Sequence, residues 1–214
     1  FFILNRPAEY VLTNRDPGEY VSIALRLSDS GSLRIKDNDF IHFNTPEKAA
    51  LFLKTPLKDA PNPEVLPGFY LVDPVNGFLL PQFFHLFPLW LALAFKLWRF
   101  EGLFLFNVIC GALGVLLMIP LGRWLLNSRI AGIAASLLLM VNAGQIWISR
   151  SPFSEMLAQV LLLGGLWLLA VGMKRNFRGA FVLAALMFGL CFFVRIDSLL
   201  LLVPMALFAG RWVL

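Results

Sequence analysis

Charged residues are scarce in this chain. Asp, Glu, Lys and Arg make up 14% of its 214 residues against 59% hydrophobic, and the mean hydropathy is +0.76. A soluble domain carries about 25% charged residues, so the shortage excludes an ordinary soluble fold. With long uncharged runs it marks an all-α polytopic membrane protein. Cysteine is nearly absent. Cys110 and Cys191 both fall inside apolar runs, which reads as packing and argues against a disulfide framework or a cysteine metal site. There is no phosphate-cradling glycine loop, zinc cluster or serine-histidine-aspartate set, and no internal repeat. The formal charge of +5 does not indicate a nucleic-acid partner, because the Lys and Arg beyond residue 100 sit mostly in short breaks between apolar runs and act as topology signals.

The acids that are present gather early. Residues 5–82 hold ten acids and eight Lys or Arg, punctuated by Pro56, Pro61, Pro63, Pro67, Pro74 and Pro81. That density of proline predicts loops and short turns on a membrane surface, with two exceptions. In Arg15-Asp16-Pro17-Gly18-Glu19-Tyr20, Pro17 fixes φ for a first helical turn, and Asp16 and Glu19 place negative charge on its unpaired amides. Tyr20, Ile23, Ala24 and Leu27 then recur at helical spacing until Ser28-Asp29-Ser30-Gly31. A second short capped helix is expected from Thr45-Pro46-Glu47 through Leu53.

Six apolar segments follow: Phe83 to Trp98, Leu103 to Leu121, Ile130 to Ile148, Met156 to Met173, Gly179 to Val194 and Ser198 to Gly210. The first and the last two are short of the roughly 20 residues a span needs. Phe1 to Leu4, with no initiator Met, reads as the outer end of a truncated first transmembrane helix, and Arg211 to Leu214 stops beside a hydrophobic segment. The expected organisation is therefore residues 1–4 as that helix end, 5–101 as an extracytoplasmic loop with juxtamembrane helices and a short membrane-dipping helix, and 102–214 as a truncated bundle of about five spans. If Phe83 to Trp98 only dips into the outer leaflet, Arg123, Arg129, Lys174, Arg175, Arg178 and Arg211 all fall inside, as the positive-inside rule favours, and Arg150 and Arg195 fall outside. Asp16, Glu19, His85, Glu155 and the Arg195 to Asp197 break then share one membrane face. Carboxylates flanked by arginines there suit an anionic lipid headgroup and an acceptor that loses a proton.

These residues resemble a known superfamily. Its order is an Asp turn with an amphipathic helix (Asp16 through Gly31), a His and Pro opening a short apolar helix (Pro81-Gln82-Phe83-Phe84-His85-Leu86-Phe87-Pro88), then Leu121-Gly122-Arg123 and Ser149-Arg150-Ser151-Pro152-Phe153-Ser154-Glu155. The pattern is similar to the amino-terminal half of GT-C integral-membrane glycosyltransferases, in particular the dolichyl-phosphate-mannose-protein mannosyltransferase-like and aminoarabinose-transferase-like bacterial branch. The resemblance implies a GT-C-like helix bundle in a bacterial inner membrane, with its active site on the extracytoplasmic side. It also implies inverting transfer of a sugar from a polyprenyl-phosphate-linked donor to a hydroxyl of a protein, glycan or lipid acceptor.

Carried over residue by residue, Asp16 matches the first-loop aspartate that serves as base or orients the acceptor, Glu155 the acid of the second outer loop, and Arg195 a basic residue that meets the carrier phosphate. Several relatives have a second acid directly after the first, and here that place is Pro17; Glu19, one turn on, is the substitute. A divalent cation, Mg²⁺ or Mn²⁺, on Asp16 and Glu155 is left open. Arg150, His85 and Tyr20 complete the expected substrate-binding set. Each residue also has an ordinary structural reading: Asp16 a helix cap, Glu19 a first-turn charge, His85 an interfacial side chain, and Arg150 with Glu155 or Arg195 with Asp197 an ion pair. The alternative function is a non-catalytic membrane subunit or a transporter.

Overall fold

The computed structural model describes residues 7, 16–36, 53–54, 64–66, 68–73, 76–205 and 207. It is mostly helical and divides into two compact units.

One unit comprises Glu9–Phe84 and Pro88–Leu103. Its helix α1 (Asp16–Ser30) buries Tyr20, Val21, Ile23 and Ala24; full burial of a side chain such as Val21 or Ile23 is worth about 1.5–3 kcal/mol. It stops where the sequence stops it: Gly31 turns left-handed at φ 67° and donates its N–H to the Leu27 carbonyl at 3.0 Å.

The loops expected over residues 5–82, and with them the all-α class, need correction. Five short strands, β1 (Ile35–Lys36), β2 (Leu53–Lys54), β3 (Glu64–Leu66), β4 (Phe69–Asp73) and β5 (Phe78–Pro81), form an antiparallel sheet in the order β1-β5-β4-β3-β2. Ile35 pairs with Leu79, Tyr70 with Leu80 and Val65 with Tyr70. Two turns join its three central strands. Gly68 at φ 83° joins β3 to β4, and Gly77 at φ 68° joins β4 to β5, where Asn76 donates its backbone N–H to Asp73 Oδ1 at 3.0 Å and its side-chain N–H to Oδ2 at 2.7 Å. Only glycine adopts such φ values freely, so Pro67-Gly68 and Asn76-Gly77 are hairpin signals. The helix expected at residues 45–53 lies outside the described residues except for Leu53, which opens β2, and the helix end at residues 1–4 lies outside them too.

The other unit comprises Phe1–Ala8, His85–Phe87 and Phe104–Leu214. Helix α2 (Leu86–Leu126) contributes to both units, and its backbone leaves the helical conformation at Trp98 and Arg99. After it come α3 (Arg129–Val141), α4 (Ala143–Ser149), α5 (Glu155–Arg175), α6 (Arg178–Phe192) and a 3-10 helix (Ile196–Leu201). Glycines set the close approaches. A Cβ on Gly111 would press on the Ser149 side chain, one on Gly122 would come within 2.8 Å of Gly132 Cα, and one on Gly165 would enter the Phe188 ring. Asn176 at φ 50° closes α5 and returns the chain into α6, so the two pack as a hairpin.

Among the described residues α2 and α5 are long and apolar enough to cross a membrane. Helices α3 and α4 reach span length only as a pair, bent by 63° at Asn142. Helix α6 has 15 residues, short of the roughly 20 of a full span, and Ile196–Met205 is shorter still. Where about five spans are expected, the described residues carry two, or three with the bent pair counted as one.

Candidate functional site

The residues expected to form one site fall in both compact units, and each group has its own geometry. In the unit built on the sheet, Asp16 is exposed at the first position of α1. Glu19, one turn on, is buried with 9% exposure. Its carboxyl lies against the β3–β4 turn, so that a Cβ on Gly68 would sit 2.5 Å from Glu19 Cδ. Burial, and secondarily the charge of Asp16, raise its pKa from 4.5 to about 7. Tyr20 is buried beside it, with its ring 4.9 Å from that of Phe83.

In the helical unit the charges meet at the start of α5. Arg195, in the extended residue before the 3-10 helix, places Nη1 2.6 Å from Glu155 Oε1 and Nη2 2.5 Å from Asp197 Oδ2. Its Nε also donates to that oxygen at 3.1 Å. Nη1 reaches the hydroxyl of Ser154, which is fully buried, at 3.5 Å. The guanidinium holds the Asp197 carboxyl below the usual carboxylate range, through the hydrogen bond first and its charge second. One guanidinium between two carboxylates leaves the trio at −1. Among the described residues Glu155 Oε2 is buried with no hydrogen-bond partner, an acceptor that a donor from a ligand would satisfy. The expected Arg195–Asp197 pair is present. Glu155 is paired with Arg195, whereas the alternative reading matched it to Arg150, which caps the C-terminus of α4. His85 is exposed at the N-cap of α2.

Polar residues that the sequence reading passed over hold this cluster in place. Asn107, buried within α2, donates from Nδ2 to the carbonyls of Ser151 and Phe153 and so fixes the turn that delivers Ser154 and Glu155. Its Oδ1 is buried without a partner among the described residues. One turn further along α5, Gln159 and Gln145 exchange reciprocal amide hydrogen bonds at 3.0 Å each, and Ser149 Oγ donates to the Gln145 carbonyl at 2.5 Å. The signal was present in the sequence, since Asn107, Gln145 and Gln159 are lone amides inside apolar runs.

The same face of α5 carries Leu162, Leu166 and Leu169, seven, eleven and fourteen residues beyond Glu155, and these line an apolar cavity of about 370 Å³ closed by Phe181 and Phe188 of α6 and by Met205. At a rise of about 1.5 Å per residue, Leu162 lies roughly 10 Å from Glu155 along the helix axis. Among the described residues no three of His, Cys, Asp and Glu gather as a metal-binding group, and Glu155 already uses Oε1 on a guanidinium. The chain matches no family model, no curated protein and no solved structure.

Proposed function

We propose that this chain is a GT-C-type membrane glycosyltransferase that moves a sugar from a polyprenyl-phosphate carrier to a hydroxyl of a protein, glycan or lipid acceptor, with inversion, on the extracytoplasmic side of a bacterial inner membrane. The observation that carries the reading is the amphiphilic site on α5: an apolar cavity of about 370 Å³ on the helix face that begins with the Glu155–Arg195 pair. A hydrocarbon tail fits the cavity, and the unpartnered buried Glu155 Oε2 suits a sugar hydroxyl. Since the Arg195 trio carries −1, Arg195 has little attraction left for phosphate, and its role is to hold Glu155 and Asp197 in place. The base that the resemblance implies is a carboxylate of α1. Glu19, with its pKa near 7, is better tuned for accepting a proton at neutral pH than an ordinary carboxylate, and Asp16 contributes to that tuning.

In the reaction the acceptor oxygen bonds to the anomeric carbon on the face opposite the phosphate. The anomeric carbon–oxygen bond breaks with its electron pair leaving on the polyprenyl phosphate, and the hydroxyl proton passes to the carboxylate. The transporter reading has one observation on its side, the bent α3–α4 pair, because broken helices line transport sites.

The test is sugar transfer by the purified full-length chain from polyprenyl-phosphate donors. Glu19→Gln is expected to lower turnover by about 100-fold or more while the protein stays folded. Ala185→Trp, which fills the cavity, is expected to lose transfer from a long-chain donor and keep it from a short-chain one. No transfer from any such donor, or wild-type turnover by both Glu19→Gln and Asp16→Asn, would overturn the proposal.

A further inference from the structure

The break in α2 leaves two cations facing a cavity. Lys96 and Arg99 are exposed, and neither has an ion-pair partner among the described residues. With Leu25, Ser28 and Asp29 from the end of α1, and with Phe95, they line an open cavity of about 520 Å³. The helix is bent out of its path to put them there. Arg99 sits at φ 56°, ψ −139°, a conformation that costs a side-chain-bearing residue about 1–3 kcal/mol and tends to persist at functional positions. Its guanidinium lies 5.7 Å from the Phe95 ring centroid, which orients it without neutralising it.

The chemistry of the lining identifies a ligand with both signs of charge. Two cations can hold a phosphate, Arg99 through paired N–H donors and Lys96 as a point charge. Asp29 supplies an anion on the same wall. Ser28 Oγ spends its proton on the Leu25 carbonyl at 2.7 Å, so toward the cavity it can only accept. A ligand must therefore bring a phosphate together with a hydrogen-bond donor, preferably a cationic one. The surroundings say where that ligand resides. Leu97, Trp98 and Phe100 are all at least half exposed around the break, and exposed aromatic and apolar side chains next to Lys and Arg are the composition of a membrane–water boundary.

We infer that this cavity seats a phosphoethanolamine headgroup of a membrane lipid, with its phosphate on Lys96 and Arg99 and its ammonium on Asp29 and Ser28 Oγ. The site shares no residue with the site of the proposed transferase and does not depend on that activity. A phosphate group could come from a lipid or from free phosphate, and the test separates them.

Full-length protein, delipidated in detergent, is titrated with short-chain phosphatidylethanolamine, phosphatidylglycerol and phosphatidylcholine and with inorganic phosphate, and bound ligand is counted by native mass spectrometry. Phosphatidylethanolamine is expected to bind tightest and inorganic phosphate at least tenfold more weakly. Lys96→Gln with Arg99→Gln is expected to lower phosphatidylethanolamine affinity about tenfold or more, and Asp29→Asn to erase its advantage over phosphatidylglycerol. The charge-preserving pair Lys96→Arg with Arg99→Lys should restore binding, which separates a lost charge from a lost fold. The inference is overturned if the neutral pair binds phosphatidylethanolamine as the wild type does, if the three lipids bind alike, or if inorganic phosphate binds as tightly as the lipid.

Discussion

A buried carboxyl is the residue on which the chemistry of α1 turns. In sequence Glu19 is one of two acids in a first helical turn, where a charge is stabilised by the unpaired amides. In the fold it faces inward against Gly68, and burial outweighs the helix-start effect. The sign of the consequence follows from its pKa, raised from 4.5 to about 7. Between those values the folded state holds a proton that the unfolded chain has released, so the contribution of this group to stability is complete below pH 4.5, falls as the pH rises, and is gone above about 7. Glu19→Gln removes the titration while keeping the shape. Its melting temperature relative to wild type should therefore climb from pH 5 to pH 8, and a difference that stays flat over that range would refute the assignment. This inversion could not be read in the sequence, because it requires the turn that brings Gly68 onto α1. The limits of α1 were readable, because Pro17 and Gly31 fix the backbone at its two ends.

At the scale of elements, the helices with strong apolar runs were legible and the sheet was not. Proline frequency over residues 5–82 argued for loops, yet two glycine turns flanked by short apolar runs outweigh it; Asn76-Gly77 between Phe69-Tyr70-Leu71-Val72 and Phe78-Leu79-Leu80 is the clearest. The glycines of the apolar segments were legible as helix contacts, since Gly111, Gly114 and Gly132 have no side chain to hold neighbours apart. The partners of the lone amides were not, because reciprocity between Gln145 and Gln159 is a property of two helices. That reciprocity makes a prediction. Gln145→Leu or Gln159→Leu alone strands an amide in an apolar contact and should lower unfolding stability by about 1 kcal/mol. The double replacement strands neither, so its loss should be smaller than the sum of the two. A double-mutant cycle by equilibrium unfolding in micelles measures the difference, and strict additivity would rule out the pairing as a source of stability.

For the whole molecule the decisive question is whether α3 and α4, bent at Asn142, cross the membrane or turn back within it. If the pair crosses, Arg123 and Arg129 share a side with Lys174, Arg175 and Arg178, and Arg150 and Arg195, the latter paired with Glu155, stand opposite: five positive charges against two. If the pair turns back, Arg123, Arg129, Arg150 and Arg195 face Lys174, Arg175 and Arg178, four against three. Orientation follows an excess of Lys and Arg on the cytoplasmic side, and the first arrangement has the larger excess to follow. It also assigns the Glu155–Arg195 cluster, at the start of α5, to the side away from that excess. Asn142 is able to make such a bend within one span, since its side chain accepts from the Gln145 N–H at 3.0 Å and so restores a bond that the break removes. The arrangement can be tested with single cysteines in a chain whose buried Cys110 and Cys191 are replaced by alanine. An impermeant maleimide applied to intact cells should label Arg150→Cys, and should reach Asn127→Cys and Asn176→Cys only after the membrane is opened. Labelling of Asn127→Cys and Arg150→Cys from the same side would mean that the bent pair re-enters, and protection of both in intact cells would place the carboxylate cluster of α5 on the cytoplasmic face, where the proposed transfer does not take place.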